Sequence, residues 1–311
     1  MKVSIIMCAY NSGEFMARAI ESIQAQTYPN WELIISEDAS TDNTVQVIER
    51  YLDDQRIKLF RQPKNIGYLE NKNHAFTLAE GQLITQLDAD DTSHPERLER
   101  QVNVFLNFPE IQICGTNYQQ IDLNDNSLGA KDYDEDFLIQ DIMEEYPFWF
   151  PGLMFRKSVV EEFGLFSDYF AGIYGDDNYW TIRVNREYPI YFVNEVLYNY
   201  RVNPNSITNV LDNPRKMIVN EILGKLISQQ KVQKTDWLEQ GFETNMRAYE
   251  AELLSNKSLM AEKYRIWAAR AIDKSDLAQA KVLLKKSIEY QGFNRDTYKT
   301  MAYYWRRKIL K

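Results

Sequence analysis

The chain has 311 residues, 44% of them hydrophobic, which is enough for one large domain and a smaller one. The formal net charge of −9 argues against general nucleic-acid binding, which needs a basic surface. No apolar run approaches the length that crosses a bilayer, and the apolar start of the chain is too short for a signal peptide. Cys8 and Cys114 lie in apolar runs, so we expect two buried, reduced thiols in a cytoplasmic protein.

The first ninety residues alternate between predicted strands and predicted helices. Short apolar runs between turn formers predict strands at residues 3–9, 31–35, 57–60 and 82–87. Helical spacing is present in between: around Ala19, Ile20 and Ile23, around Val45, Ile48 and Leu52 behind a cap at Asp42, and over residues 69–80. Such alternation predicts an α/β fold with a mostly parallel sheet and helices on both faces.

Polar residues follow three of these strands. Ligands of such sheets bind at the carboxyl ends of the strands, so the loops after the first, second and fourth strands should share one rim. Each loop carries side chains that a purely structural loop does not require: Tyr10 and Asn11, Glu37 and Asp38, Asp88 and Asp90.

The fourth strand ends in an acidic cluster, Asp88, Asp90 and Asp91. Clustered carboxylates suit a hard divalent cation that keeps some waters and takes further ligands from a phosphate. A polar turn at a strand end explains the same residues without a metal, and that alternative stays open. A calcium loop of the helix-loop-helix type is excluded, because its sixth position needs Gly and is Ser93 here.

The remainder of the first domain is less regular. We predict a helix from Pro95 to about residue 107, a strand over 111–115, and strands over 190–193 and 196–201, whereas 117–146 is polar and poorly periodic. The aromatic run 148–152 either borders a cleft or packs in the core. Asp176 and Asp177 begin a predicted helix, where the helix dipole alone would favour acidic residues.

Beyond about residue 214 the pattern is helical throughout. Residues 257–311 hold 14 Lys and Arg against 5 Asp and Glu, a net charge of +9, and the rest of the chain has −18. The segment 303–311 joins aromatic and basic residues, which suits contact with an anionic membrane surface. A solvated face packed on the acidic domain is the alternative.

Over residues 1–205 the motifs together resemble the inverting family 2 glycosyltransferases, whose fold is the glycosyltransferase A fold. The matching segments are 3–11, 34–44 with Asp38, 65–67, 87–91, 95–98, 155–157, 164–166, 175–177 and 200–201. We therefore predict a glycosyltransferase domain over residues 1–210 and a C-terminal helical region over residues 211–311.

The resemblance implies a role for each matching residue. Ala9, Tyr10 and Asn11 would line the base and ribose of a nucleotide, Asp38 would bond the uracil edge, Asp88 would lie near the ribose, and Gly67, Lys72 and Ala89 would complete this site. Asp90, with Asp88, would ligate Mn²⁺ or Mg²⁺. Asp177 would be the general base, with Asp176 beside it.

Four residues depart from the family pattern. Lys72 stands where an Arg is common, Glu37 where an Asp is common, Ala39 where a Gly is common, and Asn203 near where some members carry a His. A lysine cannot grip a phosphate in the bidentate manner of arginine. These differences bear on the base preference and on the metal shell.

The chemistry of sugar transfer supports the same assignment of roles to these residues. A departing diphosphate needs positive charge, which a metal supplies as a Lewis acid, and the acceptor hydroxyl needs a carboxylate that takes its proton. In an inverting displacement the base lies opposite the leaving group, so it belongs on a different segment from Asp90, as Asp177 does. Repulsion from Asp176 should raise the pKa of Asp177.

The sequence thus predicts a metal-dependent, inverting glycosyltransferase that uses a nucleotide sugar, with UDP favoured, and a carbohydrate or glycolipid acceptor. By resemblance it would act in bacterial surface polysaccharide or glycoconjugate synthesis, in the cytoplasm or at the inner face of the membrane. One alternative is a sugar nucleotidyltransferase, which typically has a Gly-rich loop where this chain has only Gly13. Another is a non-catalytic nucleotide-sugar-binding module.

Overall fold

The computed structural model describes residues 1–143, 147–203, 206 and 213–309. The chain divides into two units, Met1–Val210 and Leu211–Lys311. What each unit does stays a prediction.

A ten-stranded sheet forms the first unit, in the order β3-β2-β1-β4-β9-β6-β10-β5, with β7 beside β6 and β8 beside β10. The strands are β1 Val3–Ala9, β2 Trp31–Glu37, β3 Ile57–Arg61, β4 Leu83–Gln86, β5 Thr92–Ser93, β6 Ile113–Ile121, β7 Ser127–Ala130, β8 Phe137–Ile139, β9 Met154–Arg156 and β10 Ile190–Arg201. Strands β1 to β4 are parallel to one another, as expected for apolar strands whose two faces are both covered. The predicted fold class is confirmed.

Six helices of this unit follow the sheet strands, at α1 Met16–Gln24, α2 Thr44–Glu49, α3 Tyr68–Thr77, α4 Arg97–Asn107, α5 Lys157–Phe163 and α6 Asp176–Glu187. The helix α2 is shorter than predicted, because Leu52 lies beyond its last turn. Asn43 holds the N-cap position, but the Asp42 carboxylate accepts the amide of Thr44, the first residue of the helix, at 3.0 Å, as a capping residue does. The same carboxylate accepts the Gly13 amide at 3.1 Å and so joins two loops.

The polar segment after residue 117 is more ordered than its sequence indicates. β6 continues to Ile121, and β7 and β8 follow it. The side-chain amide of Asn117 donates to the carbonyls of Lys131 and Asn194, at 2.7 and 3.1 Å. Polar side chains that bond to main-chain groups can occupy a strand without giving it an apolar pattern. For this reason the sequence did not predict strands in this segment. Residues 144–146 of this segment lie outside the described residues.

The aromatic run packs in and against the core, which is the second of the two interpretations given above. Phe148 and Phe150 are buried in the core. Trp149 is half-buried, with its ring centre 4.6 Å from that of Tyr200 on β10. Both cysteines are free; Cys114 is buried as predicted, but Cys8 near the end of β1 is only half-buried.

The second unit consists of helices α7 Val219–Gln233, α8 Glu243–Ser255, α9 Lys257–Asp273, α10 Leu277–Gln291 and α11 Arg295–Ile309, preceded by a 3₁₀ turn at Pro214–Ile218. Residues 213–309 contain no strand, which agrees with the helical pattern predicted there. Among all described residues, no helix combines the length and the apolar character that a membrane crossing needs.

Candidate active site

Three neighbouring parallel strands bring their carboxyl ends to one rim. β1 lies between β2 and β4. The Ala9 carbonyl at the end of β1 accepts the Asp38 amide at 2.9 Å, and the Ile6 carbonyl in the middle of β1 accepts the Leu87 amide at 3.0 Å. The loops after these strands therefore adjoin one another, as the alternation of strands and helices indicates.

Two of these loops are bonded together in an uncommon backbone conformation. Asn11 and Ala39 have left-handed φ values of 49° and 56°. The Asn11 amide donates to Ser40 Oγ at 2.9 Å, and its side-chain oxygen accepts the Thr41 amide at 2.8 Å. A residue with a Cβ in this region costs on the order of 1–3 kcal/mol and persists only where its surroundings hold it.

An open cleft of about 480 Å³ adjoins this pair of loops, lined by Ala39, Ser40, Arg61, Gln62 and Pro63. The ring of Tyr10, at the end of β1, is 47% exposed. In contrast, the methyl groups of Ala9 and Ala89 are buried. These two alanines, 1% and 6% exposed as whole residues, thus present almost no surface to solvent.

Asp38 fixes the start of α3. Its carboxylate is buried and accepts the amides of Ile66 and Gly67, at 2.8 and 3.0 Å. Gly67 has a φ of 90°, which a glycine adopts at no steric cost. A carboxylate offers about four acceptor positions, so these two bonds leave Asp38 able to accept from a further donor.

Lys72 and Asp176 form a buried ion pair. Lys72 Nζ lies 2.9 Å from Asp176 Oδ2, and both side chains are almost inaccessible to solvent. The ammonium also lies 3.6 Å from the ring centre of Phe166 and 4.6 Å from that of Phe150. The charge of Lys72 is therefore engaged by Asp176 and by two aromatic rings.

Asp177 differs from its neighbour in its surroundings. It is half-buried in the first turn of α6, and its carboxylate accepts the Asn178 amide at 2.8 Å. Burial and then the like charge of Asp176 raise the pKa of Asp177 to about 6, against a smaller opposing effect of Lys72. The direction agrees with the sequence-based expectation, and a carboxylate with this pKa is suited to accept a proton near neutral pH.

Asp88 and Asp90, two of the three acids that follow β4, are less buried than the third, Asp91. Asp88 and Asp90 are half-buried, and burial together with the charge of Asp90 raises the pKa of Asp88 to about 6. Gln86 Nε2 donates to Asp88 at 2.6 Å, and Asn203 Nδ2 donates to Asp90 at 3.1 Å. Asn203 thus lies beside Asp90, at the place where the sequence suggested a missing histidine.

Asp91 is buried and belongs to the scaffold. It accepts the main-chain amide of Arg201 at 2.7 Å and the hydroxyl of Tyr198 at 2.5 Å. The guanidinium of Arg201 in turn donates to the carbonyl of Asp90 and to the carboxylate of Asp125, both at 2.5 Å. Arg201 thereby joins the acidic turn to the loop between β6 and β7.

The donor chemistry at Asp88 and Asp90 fits a divalent cation. Both are hard oxygen ligands, and their mutual repulsion would be relieved by positive charge. Over the described ranges, no three His, Cys, Asp or Glu side chains come together as a metal-binding group. Asp88 and Asp90 would supply two carboxylates, and Mg²⁺ typically binds proteins through one or two carboxylates while it keeps waters and binds phosphate oxygens.

Tyr68 and Arg201 were not assigned a role from the sequence. Tyr68 is the first residue of α3, its ring is 38% exposed, and Lys72 Nζ lies 5.5 Å from the ring centre. Burial of its hydroxyl, followed by the charges of Asp88 and Asp176, raises the pKa of Tyr68 well above its usual value. The only sequence signal for Tyr68 was its position directly after Gly67.

Curated relatives show the same similarity in sequence. CgeD of Bacillus subtilis is 31% identical over 225 residues, which are 67% of this chain and 52% of CgeD. The Escherichia coli enzyme WfgD, a UDP-Glc:α-D-GlcNAc-diphosphoundecaprenol β-1,3-glucosyltransferase, is 38% identical over 130 residues, 42% of this chain and 49% of WfgD. The chain thus matches about half of the length of these relatives.

Solved structures share the fold. The Staphylococcus aureus protein TarS, residues 1–349, in complex with UDP-GlcNAc, gives a TM-score of 0.62 at 16% identity, over 95% of this chain and 93% of that one. The mannosyltransferase PcManGT of Pyrobaculum calidifontis, in complex with GDP-Man and Mn²⁺, gives 0.55 at 16% identity, over 99% and 86%. The glycosyl transferase family 2 profile matches residues 4–164, slightly more than half of the chain, and the chain therefore belongs to that family.

Proposed function

We propose that the chain transfers a sugar from a nucleoside diphosphate sugar to a hydroxyl group, with inversion at the anomeric carbon. The observation that carries this proposal is the pair of separate acidic sites on one family 2 domain. Asp88 and Asp90 follow β4, and Asp177, with a pKa raised to about 6, begins α6 beside the Lys72–Asp176 ion pair.

In the proposed reaction the oxygen of the acceptor hydroxyl bonds to the anomeric carbon, and Asp177 accepts the proton of that hydroxyl. The bond from that carbon to the donor diphosphate breaks, and the diphosphate leaves with the electron pair. A divalent cation, Mn²⁺ or Mg²⁺, held by Asp88 and Asp90 would supply positive charge for the leaving group. Lys72 engages the Asp176 carboxylate in a buried ion pair, so that Asp177 alone is the proposed base.

UDP is the favoured nucleotide. The name of WfgD and the ligand of TarS both contain UDP, whereas PcManGT was solved with GDP-Man. The name of WfgD also gives a lipid-linked sugar as its acceptor. We therefore favour an acceptor that is a carbohydrate or a glycolipid, and a role in bacterial surface polysaccharide or glycoconjugate synthesis. We propose that the chain acts in the cytoplasm or at the inner face of the membrane.

A panel of UDP- and GDP-sugars tests this proposal. Purified protein is incubated with each donor, with and without simple sugar acceptors, in Mn²⁺, in Mg²⁺ and in EDTA, and release of nucleoside diphosphate is measured. We expect release from at least one UDP-sugar, dependent on the metal and strongly reduced in Asp177→Asn. Binding of UDP without any release from any donor would instead support a non-catalytic binding module.

A further inference from the structure

One face of α11 presents apolar and aromatic side chains to solvent. Tyr298, Ala302, Trp305 and Ile309 are spaced by four, three and four residues and so share one face of the helix. Tyr298 is 62% exposed, Trp305 50% and Ile309 80%. Phe293 extends this stripe, because it is 61% exposed and its ring centre lies 6.2 Å from that of Tyr298.

The other face of α11 is used for packing. Thr297, Thr300 and Tyr304 are buried on that side, and Tyr303 donates a hydrogen bond of 2.6 Å to Asp273 on α9. The helix is therefore fixed in its own unit by its inner face. The exposed stripe is not needed to hold the helix in place.

Basic residues flank the stripe on both sides. At 100° per residue, Arg295, Lys299 and Arg306 lie on one side of it and Lys308 on the other. Lys308 Nζ lies 4.8 Å from the ring centre of Trp305. The acid of this helix, Asp296, is on the side away from the stripe and pairs with Lys299 at 3.2 Å. The surroundings are basic as well, since residues 257–311 have a net charge of +9.

We propose that this face of α11, the stripe with its basic borders, binds the surface of an anionic phospholipid bilayer. Aromatic rings with one polar end are suited to the level of the headgroups, where one side is wet and the other apolar. Lys and Arg beside them can keep their charged ends among lipid phosphates while their stems lie on apolar surface. The charge on both borders of the stripe favours this occupant over a neutral or basic protein.

The proposal is independent of the transfer reaction, because vesicle binding is measured without donor or acceptor. The full chain is mixed with phosphatidylcholine vesicles or with vesicles that also contain phosphatidylglycerol, and flotation is measured. We expect binding to the anionic vesicles only, weakened by added salt. The stripe variant Tyr298→Ser/Trp305→Ser/Ile309→Ser should no longer float.

The charge variant Arg295→Gln/Arg306→Gln/Lys308→Gln tests the borders. Each basic group near an anionic surface contributes about fivefold in affinity, so the loss of three should weaken binding on the order of 100-fold. The matched controls carry equal changes elsewhere on the second unit: Val232→Ser/Phe242→Ser/Val282→Ser for the stripe and Lys257→Gln/Lys281→Gln/Lys285→Gln for the charge. All changed side chains are exposed to solvent, so folding should survive, and circular dichroism checks this.

Three outcomes would overturn the proposal. The first is a wild-type chain that does not float with anionic vesicles. The second is a control variant that loses as much binding as its partner, which would mean diffuse attraction by the whole basic region. The third is self-association that the stripe variant abolishes while vesicle binding is unchanged, which would assign this face to a second copy of the chain.

Discussion

The ammonium group of Lys72 lies 2.9 Å from the carboxylate of Asp176, and this buried ion pair distinguishes the surroundings of Asp176 from those of the adjacent Asp177. Asp176 is held by the cation and hidden from solvent. Asp177, one residue further along α6, is half-buried and has its pKa raised to about 6. A like charge next to Asp177 thus favours proton uptake by that residue, while Lys72 compensates Asp176.

The pair itself can be tested through stability. Lys72→Met leaves Asp176 buried without its cation, so we expect the free energy of unfolding to fall by about 3–5 kcal/mol. The double variant Lys72→Met/Asp176→Asn removes both charges and should recover part of that loss. Urea unfolding monitored by circular dichroism measures both. A loss below about 1 kcal/mol in Lys72→Met would mean that the pair is not buried as described.

The pH dependence of transfer follows from the raised pKa of Asp177. As the proposed base, Asp177 would act only when deprotonated, so the transfer rate should fall as the pH drops through about 6. The raised pKa of Asp88, also about 6, adds to the same acidic limb, because a protonated ligand binds metal poorly. A rate that stays constant from pH 7 down to about pH 4.5 at saturating donor and Mn²⁺ would contradict this assignment.

The proposed metal site makes a separate prediction. Asp90→Ala should nearly abolish transfer and should weaken UDP binding in Mn²⁺ much more than in EDTA. Asp53→Ala is the matched control, since it removes an exposed carboxylate of the same first unit. Calorimetric titration with UDP in the two conditions gives the comparison. Equal wild-type activity with and without chelator would show that no metal is needed.

Arg201 and Arg18 provide a matched pair, because both donate to the carboxylate of Asp125. The Arg201 side chain is fully buried and also bonds the Asp90 carbonyl, whereas Arg18 is 38% exposed. Arg201→Met should therefore lower stability by about 1.5–3 kcal/mol and weaken UDP binding in Mn²⁺. Arg18→Met, which breaks a surface pair, should cost about 0–1 kcal/mol. Equal effects of the two changes would show that the bond from Arg201 to the Asp90 carbonyl does not help to position Asp90.

Much of the first unit could be predicted from the sequence because its strands are buried on both faces. The runs that became β1, β2 and β4 are mostly apolar and almost wholly buried, and their order fixes which loops share the rim. The alternation of strand and helix was therefore sufficient to bring the loops at Asn11, Asp38 and Asp88 together.

The missed features depend on contacts between distant parts of the chain. The second half of β6 is polar and is stabilised by pairing with β10 and by the bonds of Asn117, which no local pattern reveals. The Lys72–Asp176 pair joins residues 104 positions apart. Likewise, the proximity of Tyr68 to the acids of two separate segments follows only from the folded chain.

The measurement that tests the central claim most directly compares transfer and UDP binding in the Asp177→Asn variant. Asparagine has nearly the same shape but cannot take the acceptor proton, so we predict that the transfer rate falls by about 10²–10⁴-fold while the affinity for UDP in Mn²⁺ changes little. Asp176→Asn is the matched comparison and should lower stability through loss of the Lys72 ion pair. A transfer rate that stays near the wild-type value in Asp177→Asn, or that falls only in proportion to UDP binding, would contradict the account.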